Sequence, residues 1–173
     1  MRKGEFDSEM TPQQREQKPK TAQQALQSLM RLCARSEKST GDALRLMRTW
    51  GVPEGEQRGV LDRLIADRYI DNRRYAEAYT REKSRLSGWG ERKIAMQLRL
   101  KGVEKEVISA VLSELVDDEG KGERLRAKLE RKMRTTKAVN DYELRGKLLR
   151  YALGLGYDYD TAMTAVEEVT EQK

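Results

Sequence analysis

The groups in this chain best equipped for chemistry are cations on a helical spacing. Arg74, Arg81 and Arg85 recur at i, i+7 and i+11, with Lys83 between them. Arg92, Lys93 and Arg99 follow in the next segment, and Arg124, Lys128 and Arg131 include an i, i+4, i+7 series further on. Side chains at those spacings share one side of an α-helix. Guanidinium and ammonium groups recognise phosphate or carboxylate oxygens through charge-assisted hydrogen bonds, and by themselves they break no bond. The chemistry they offer is binding of a polyanion or of an acidic protein surface. A net charge of +6 and a pI near 9.4 point the same way, weakly.

Other reactive groups are scarce. No histidine occurs in the 173 residues, which removes His-based triads and with them the commonest general base and metal ligand. Cys33 is the one cysteine, so neither an internal disulfide nor a structural zinc site can form. Catalysis by carboxylates, lysine or tyrosine stays open, but no motif, paired carboxylates included, supports it. The expectation is a protein that is not an enzyme and carries no metal or other cofactor; metal-dependent nuclease activity would overturn it. No apolar run approaches the 18 residues of a membrane span, and the N-terminus has no apolar h-region. A reduced, cytoplasmic protein is expected.

Gly88-Trp89-Gly90 lies among the cations and raises two sharper possibilities. A phosphate loop needs GxxxxGK[ST], so that backbone N–H groups wrap the phosphates; neither the "GKGER" at 120–124 nor the "GKL" at 146–148 has that spacing. A dinucleotide fingerprint needs GxGxxG after a strand, which is also missing. The second possibility is a helix-turn-helix over 94–112, whose second helix would enter the DNA major groove. Its charge argues against that. Segment 104–116 is −2, and its counterparts 53–67 and 157–171 are −2 and −5. Phosphates would repel such helices. The glycines then read as punctuation: Gly88 ends a long helix, Gly90 starts the next, and Gly102 ends that one in turn.

The elements that must position the cations are helices. Ala22, Leu26, Leu29, Met30 and Cys33 fall on one helical face, and two-residue alternation is absent over any useful length. The pattern repeats. Gly51-Val52 followed by Val60, Leu61 and Leu64 returns 51 positions on as Gly102-Val103, Val111, Leu112 and Leu115. It returns 54 positions later as Gly156-Tyr157, Ala165, Val166 and Val169. In the preceding helix Ala43, Ile94 and Leu148 correspond, as do Met47, Leu98 and Ala152. The chain therefore reads as an all-α protein of three tandem three-helix repeats in an elongated, curved array. The expected division is a flexible N-terminal tail over 1–20, then repeats over 21–70, 71–116 and 117–173.

Charge follows helix type in every repeat. First helices carry +2, +3 and +5 over 23–38, 72–86 and 119–137; second helices carry +1, +3 and +1 over 40–51, 88–102 and 140–155. Beside Arg74, Arg81 and Arg85 runs an apolar stripe of Tyr75, Tyr79 and Leu86, and beside Arg124, Lys128 and Arg131 runs Leu125, Leu129 and Met133. Burying each stripe would turn the cations outward. Tyr75, Tyr79 and Trp89 could stack on bases, but at helical spacing they read first as core.

These residues resemble a known family. "RLCARSEKSTGDALRLMRTWGV" and "VLDRLIADRYIDNRRYAEAYTREKSRLSGWGERKIAMQLRLKGV" are similar to RecX, bacterial regulators of the RecA recombinase. The likeness rests on Arg35-Ser36-Glu37, Leu61 with Leu64, Asp71-Asn72 with Tyr75-Ala76, and the run Gly88, Gly90, Ile94, Leu98, Gly102. It extends over about residues 25–170 and is strongest in the middle repeat. Tyr75 stands where the family usually has Phe, and the third repeat matches in pattern only. The resemblance implies three tandem three-helix repeats and a non-enzymatic, monomeric protein of DNA repair, recombination and the SOS response. It further implies binding of the RecA–DNA filament in its groove, which limits filament extension, ATP hydrolysis and strand exchange. DNA, single- or double-stranded, is a further expected partner, bound weakly by the protein alone; the alternative reading is a sequence-tolerant DNA-binding protein without a recombinase partner.

Overall fold

The computed structural model describes residues 18–115 and 120–171. These residues form nine α-helices and no strand, which is the all-α array of helical triplets. The first triplet is α1 (Ala22–Cys33), α2 (Thr40–Thr49) and α3 (Glu54–Ala66). The second is α4 (Asn72–Glu82), α5 (Glu91–Leu100) and α6 (Lys105–Leu115); a π-helical turn, Lys83–Ser87, runs on from α4. The third is α7 (Lys121–Thr135), α8 (Asp141–Gly154) and α9 (Tyr159–Glu171). Of the tail expected over 1–20, residues 1–17 lie outside the described residues. Lys20 is held: its backbone N–H donates to the Trp50 carbonyl at 2.9 Å, and its Nζ lies 3.7 Å from the centroid of the Trp50 ring.

Each triplet buries its own core. Ala25, Leu29, Ala43, Met47 and Leu64 lie at the centre of the first, Ala76, Ile94, Leu98 and Val111 of the second, and Leu125, Leu129, Leu148 and Val166 of the third. The positions equated by repeat spacing are equivalent in burial: Ala43, Ile94 and Leu148, and likewise Met47, Leu98 and Ala152, are all shut off from solvent. The glycines after the second helices share a left-handed backbone, with φ of 70° at Gly51, 75° at Gly102 and 91° at Gly156. Only glycine takes that conformation without steric penalty, and it turns the chain back over the helix it has just left.

The second helices are joined end to end. The first N–H groups and last carbonyls of a helix have no partner inside it. Here one triplet supplies what its neighbour lacks. At the start of α2 the Gly41 N–H donates to the Lys101 carbonyl at 3.0 Å, and the Thr40 hydroxyl to the Gly102 carbonyl at 2.9 Å. At the start of α5 the Gly90 N–H donates to the Leu155 carbonyl at 2.8 Å and the Arg92 N–H to the Gly156 carbonyl at 3.1 Å. Gly90 is the N-cap of α5 and has no side chain to cap with; the third triplet's carbonyls take that role. The positive end of one helix dipole therefore meets the negative end of the next at both joints.

One sequence expectation fails. Leu86, placed in an apolar stripe with Tyr75 and Tyr79, is 81% exposed. Tyr75 is buried and stacks on the half-buried Tyr79 with ring centroids 5.8 Å apart. The cause is the π-helical turn: it winds with more residues per turn than an α-helix, so an α spacing counted through it ends on the wrong face.

The first joint has an ionic centre. Asp42 is buried, and its carboxylate accepts from Arg45 at 2.6 Å and from Lys101, across the joint, at 3.1 Å. Burial pushes the Asp42 carboxyl up, but those two hydrogen bonds outweigh it and hold it below the usual carboxylate range. A depressed folded-state pKa means that the stability from Asp42 is complete above the ordinary carboxylate value. It is lost as pH falls from about 4 through the lower folded value. Asp42→Asn should destabilise the protein by about 1–3 kcal/mol at pH 7, because charged hydrogen bonds are lost. In urea melts the gap between parent and variant should narrow at pH 3; a gap of equal size at both pH values would contradict this role.

Candidate functional site

The cations singled out by sequence occupy three settings. The first is the joint between triplets one and two. Arg74, at the start of α4, donates from Nε to Glu37 at 2.6 Å and from Nη2 to the Arg68 carbonyl at 3.3 Å. It is partly committed to holding the two triplets together. Arg99, near the far end of α5, is exposed. The second setting is the open surface. Arg81 is exposed and reaches Glu77 only at 3.9 Å, a weak surface pair. Arg85 on the π-helical turn and Arg131 on α7 are exposed as well.

The third setting is the turn at 88–90, where the second and third triplets meet. Lys83 Nζ lies 5.6 Å from the Trp89 ring centroid and donates to Glu82 at 2.8 Å, a bond that raises the Lys83 pKa above that of an ordinary lysine. Lys93 Nζ lies 4.6 Å from the same ring and donates to the Gly154 carbonyl at 3.2 Å. Lys128 crosses from α7 to lie against Gly88. Arg92 is exposed, and its charge helps depress the Asp158 carboxyl, after the hydrogen bonds from Thr161. Arg124 is half-buried beside Tyr157: burial raises that phenol, and the Arg124 charge opposes the rise. The structure thus brings Lys83, Lys93 and Lys128 together, and leaves Arg74 at the opposite joint.

Charge segregation by helix type has a partly internal cause. Arg73 on α4 grips Glu114 on α6 with two hydrogen bonds of 2.7 and 2.9 Å. Arg126 on α7 pairs with Glu168 on α9 at 3.2 Å. In the second and third triplets the basic first helix is thus stitched to the acidic third helix, which accounts for part of the opposite charge on the two. The cations left over form the candidate surface.

Three more belong to it. Each second helix exposes two arginines: Arg45 and Arg48 on α2, Arg92 and Arg99 on α5, Arg145 and Arg150 on α8. Of the added ones only Arg45 is spent on an internal ion pair among the described residues, with Asp42. Sequence reading took only the middle pair. The repeat offsets were the available signal, since adding 51 to Arg48 gives Arg99. Trp89 packs against both the second and third cores, so it is wall and joint rather than a free stacking platform. The arrangement can bind anions along a row of second helices. Among the described residues no cluster of His, Cys, Asp and Glu could hold a metal, and no helix is long and apolar enough to cross a membrane.

Comparison with known proteins is consistent with this architecture. The profile of the second three-helix domain of RecX matches residues 71–112, and that of the third matches 121–166. A "Regulatory protein RecX" of Mycolicibacterium smegmatis is 34% identical over 67% of this chain, and one of Clostridium botulinum is 31% identical over 78%. The chain spans 63% and 61% of the length of those two relatives. A third, from Streptomyces lividans, is 30% identical over 80% of this chain and 72% of its own length. The crystal structure of RecX from Lactobacillus salivarius superimposes with a TM-score of 0.71 at 18% identity, over 87% of this chain and 97% of that one. With two domain profiles matched in series and relatives of this likeness, the chain belongs to the RecX family of regulatory proteins.

Proposed function

We propose that this protein binds the filament that RecA recombinase forms on DNA and mostly inhibits it, limiting filament extension, ATP hydrolysis and strand exchange. It acts as a cytoplasmic monomer, without cofactor or catalytic step, in DNA repair, recombination and the SOS response. The observation that carries the reading is a group of exposed arginines outside the close internal ion pairs: Arg81, Arg85 and Arg131 on first helices and the continuation of α4, and Arg48, Arg92, Arg99, Arg145 and Arg150 on the second helices. Membership of a family of regulatory proteins supports it. Arg74, Lys83, Lys93, Arg124 and Lys128 would complete the contact surface at the joints.

A second reading is a sequence-tolerant DNA-binding protein with no recombinase partner, favoured by the same exposed arginines. The two separate on salt. Binding to naked DNA should weaken with a log–log slope of about 0.7 per single-strand phosphate contacted and about 0.9 per duplex phosphate. Binding to the RecA filament should be tighter at every salt concentration and fall less steeply, because protein contacts add to phosphate contacts. Equal affinity and equal slope for filament and naked DNA would favour the second reading.

A further inference from the structure

Three lysines converge on one turn from two triplets. Lys83 and Lys93 hold their ammonium groups at 5.6 and 4.6 Å from the Trp89 centroid, within cation–π range. Lys128 arrives from the third triplet, so close that a methyl group added to Gly88 would overlap its stem. Each ammonium has three N–H donors. Lys83 spends one on Glu82 and Lys93 one on the Gly154 carbonyl, while Lys128 has no hydrogen-bond or ion-pair partner among the described residues. Several donors therefore stay open around one turn, where an incoming anion would find partners.

We propose that this turn is an anion site shared by the second and third triplets, and that it holds one phosphate group of a DNA backbone across their joint. The turn's own backbone argues for a single phosphodiester over a nucleoside polyphosphate. The Trp89 N–H is spent on the Lys83 carbonyl at 3.0 Å and the Gly90 N–H on the Leu155 carbonyl at 2.8 Å. No nest of free N–H groups remains to wrap a polyphosphate, and what is left is point charge. Trp89 is half-buried between two cores, so the site reads phosphate without reading bases. Because Lys128 comes from one triplet and Lys83 and Lys93 from the other, an occupied site fastens the joint. The source of the phosphate rests on the reading that the protein works on DNA; the site itself does not.

The test uses the full chain carrying Trp50→Phe, so that Trp89 is the remaining tryptophan and can be excited selectively over the tyrosines. Its emission is followed while oligo(dT) or inorganic pyrophosphate is added. A saturable change with oligo(dT) is expected, weakened about tenfold by Lys128→Met, which keeps the stem over Gly88 and removes the charge. Lys132→Met, on the same helix but over Tyr151, should leave it unchanged. The triple change Lys83→Met, Lys93→Met, Lys128→Met should lower the salt slope for oligo(dT) by about 0.7, the loss of one single-strand phosphate. Equal binding by parent and Lys128→Met would overturn the shared site, and a response to pyrophosphate alone would overturn the DNA source. Neither result touches the filament reading, which is measured with RecA through Arg81 and Arg85.

Discussion

Replacing Arg81 and Arg85 together by glutamate will relieve inhibition of RecA ATPase, raising the concentration needed for half inhibition at least roughly thirtyfold. The magnitude follows from charge. A single exposed ion pair contributes about 1 kcal/mol or less. Reversal both removes an attraction and adds a repulsion, so two reversals weaken binding by about 2 kcal/mol or more, at about 1.4 kcal/mol per decade. The fold should tolerate the change. Arg81 reaches Glu77 only at 3.9 Å, and Arg85 is exposed on the π-helical turn. Substitutions at such positions stay within about 0.5 kcal/mol of the parent. Unchanged inhibition by a variant with an unchanged melting temperature would remove these two residues from the contact surface.

Gly90→Ala will strain the fold at one of its joints. A Cβ built at Gly90 overlaps the backbone carbonyl of Gly156 in the next triplet, and a backbone atom cannot swing aside as a side chain can. Accommodation means parting the joint, which stretches the Gly90–Leu155 bond of 2.8 Å and the Arg92–Gly156 bond of 3.1 Å. Overpacking costs about 1–3 kcal/mol, and a protein of this size loses about 2–4 °C of melting temperature per kcal/mol. A drop of several degrees in a circular-dichroism melt is expected. Gly59→Ala is the contrast: Gly59 lies within α3, and an added methyl meets nothing within 4 Å. That change should stabilise by about 0.4–1 kcal/mol through the unfolded chain. If the two alanine variants melted together, the end-to-end joint would not be the constraint described.

The fold was legible where one physical rule acted alone. Burial selects a residue type every three or four positions, so Ala43, Ile94 and Leu148 declared themselves by spacing before any contact was known. The left-handed turns at Gly51, Gly102 and Gly156 were visible because few other residues fit there. Leu86 was misplaced because nothing in "KSRLS" announces a change of helical pitch. The candidate surface was less legible, since a sequence lists charges without saying which are spent. Arg73 and Arg126 look like Arg81 and Arg131 in a string of letters, yet the first two are engaged by Glu114 and Glu168. The shared lysine turn was out of reach, because Lys128 meets Gly88 only through the packing of two triplets.

The central claim is that the uncommitted arginines meet a recombinase filament and not DNA alone. Co-sedimentation at physiological salt, with RecA assembled on single-stranded DNA, with RecA alone and with DNA alone, tests it most directly. The account predicts that the protein pellets with the assembled filament at concentrations that leave naked DNA largely unbound, and that Arg81→Glu with Arg85→Glu abolishes the pelleting. Equal binding to naked DNA and to the filament, or pelleting that survives both reversals, would contradict it.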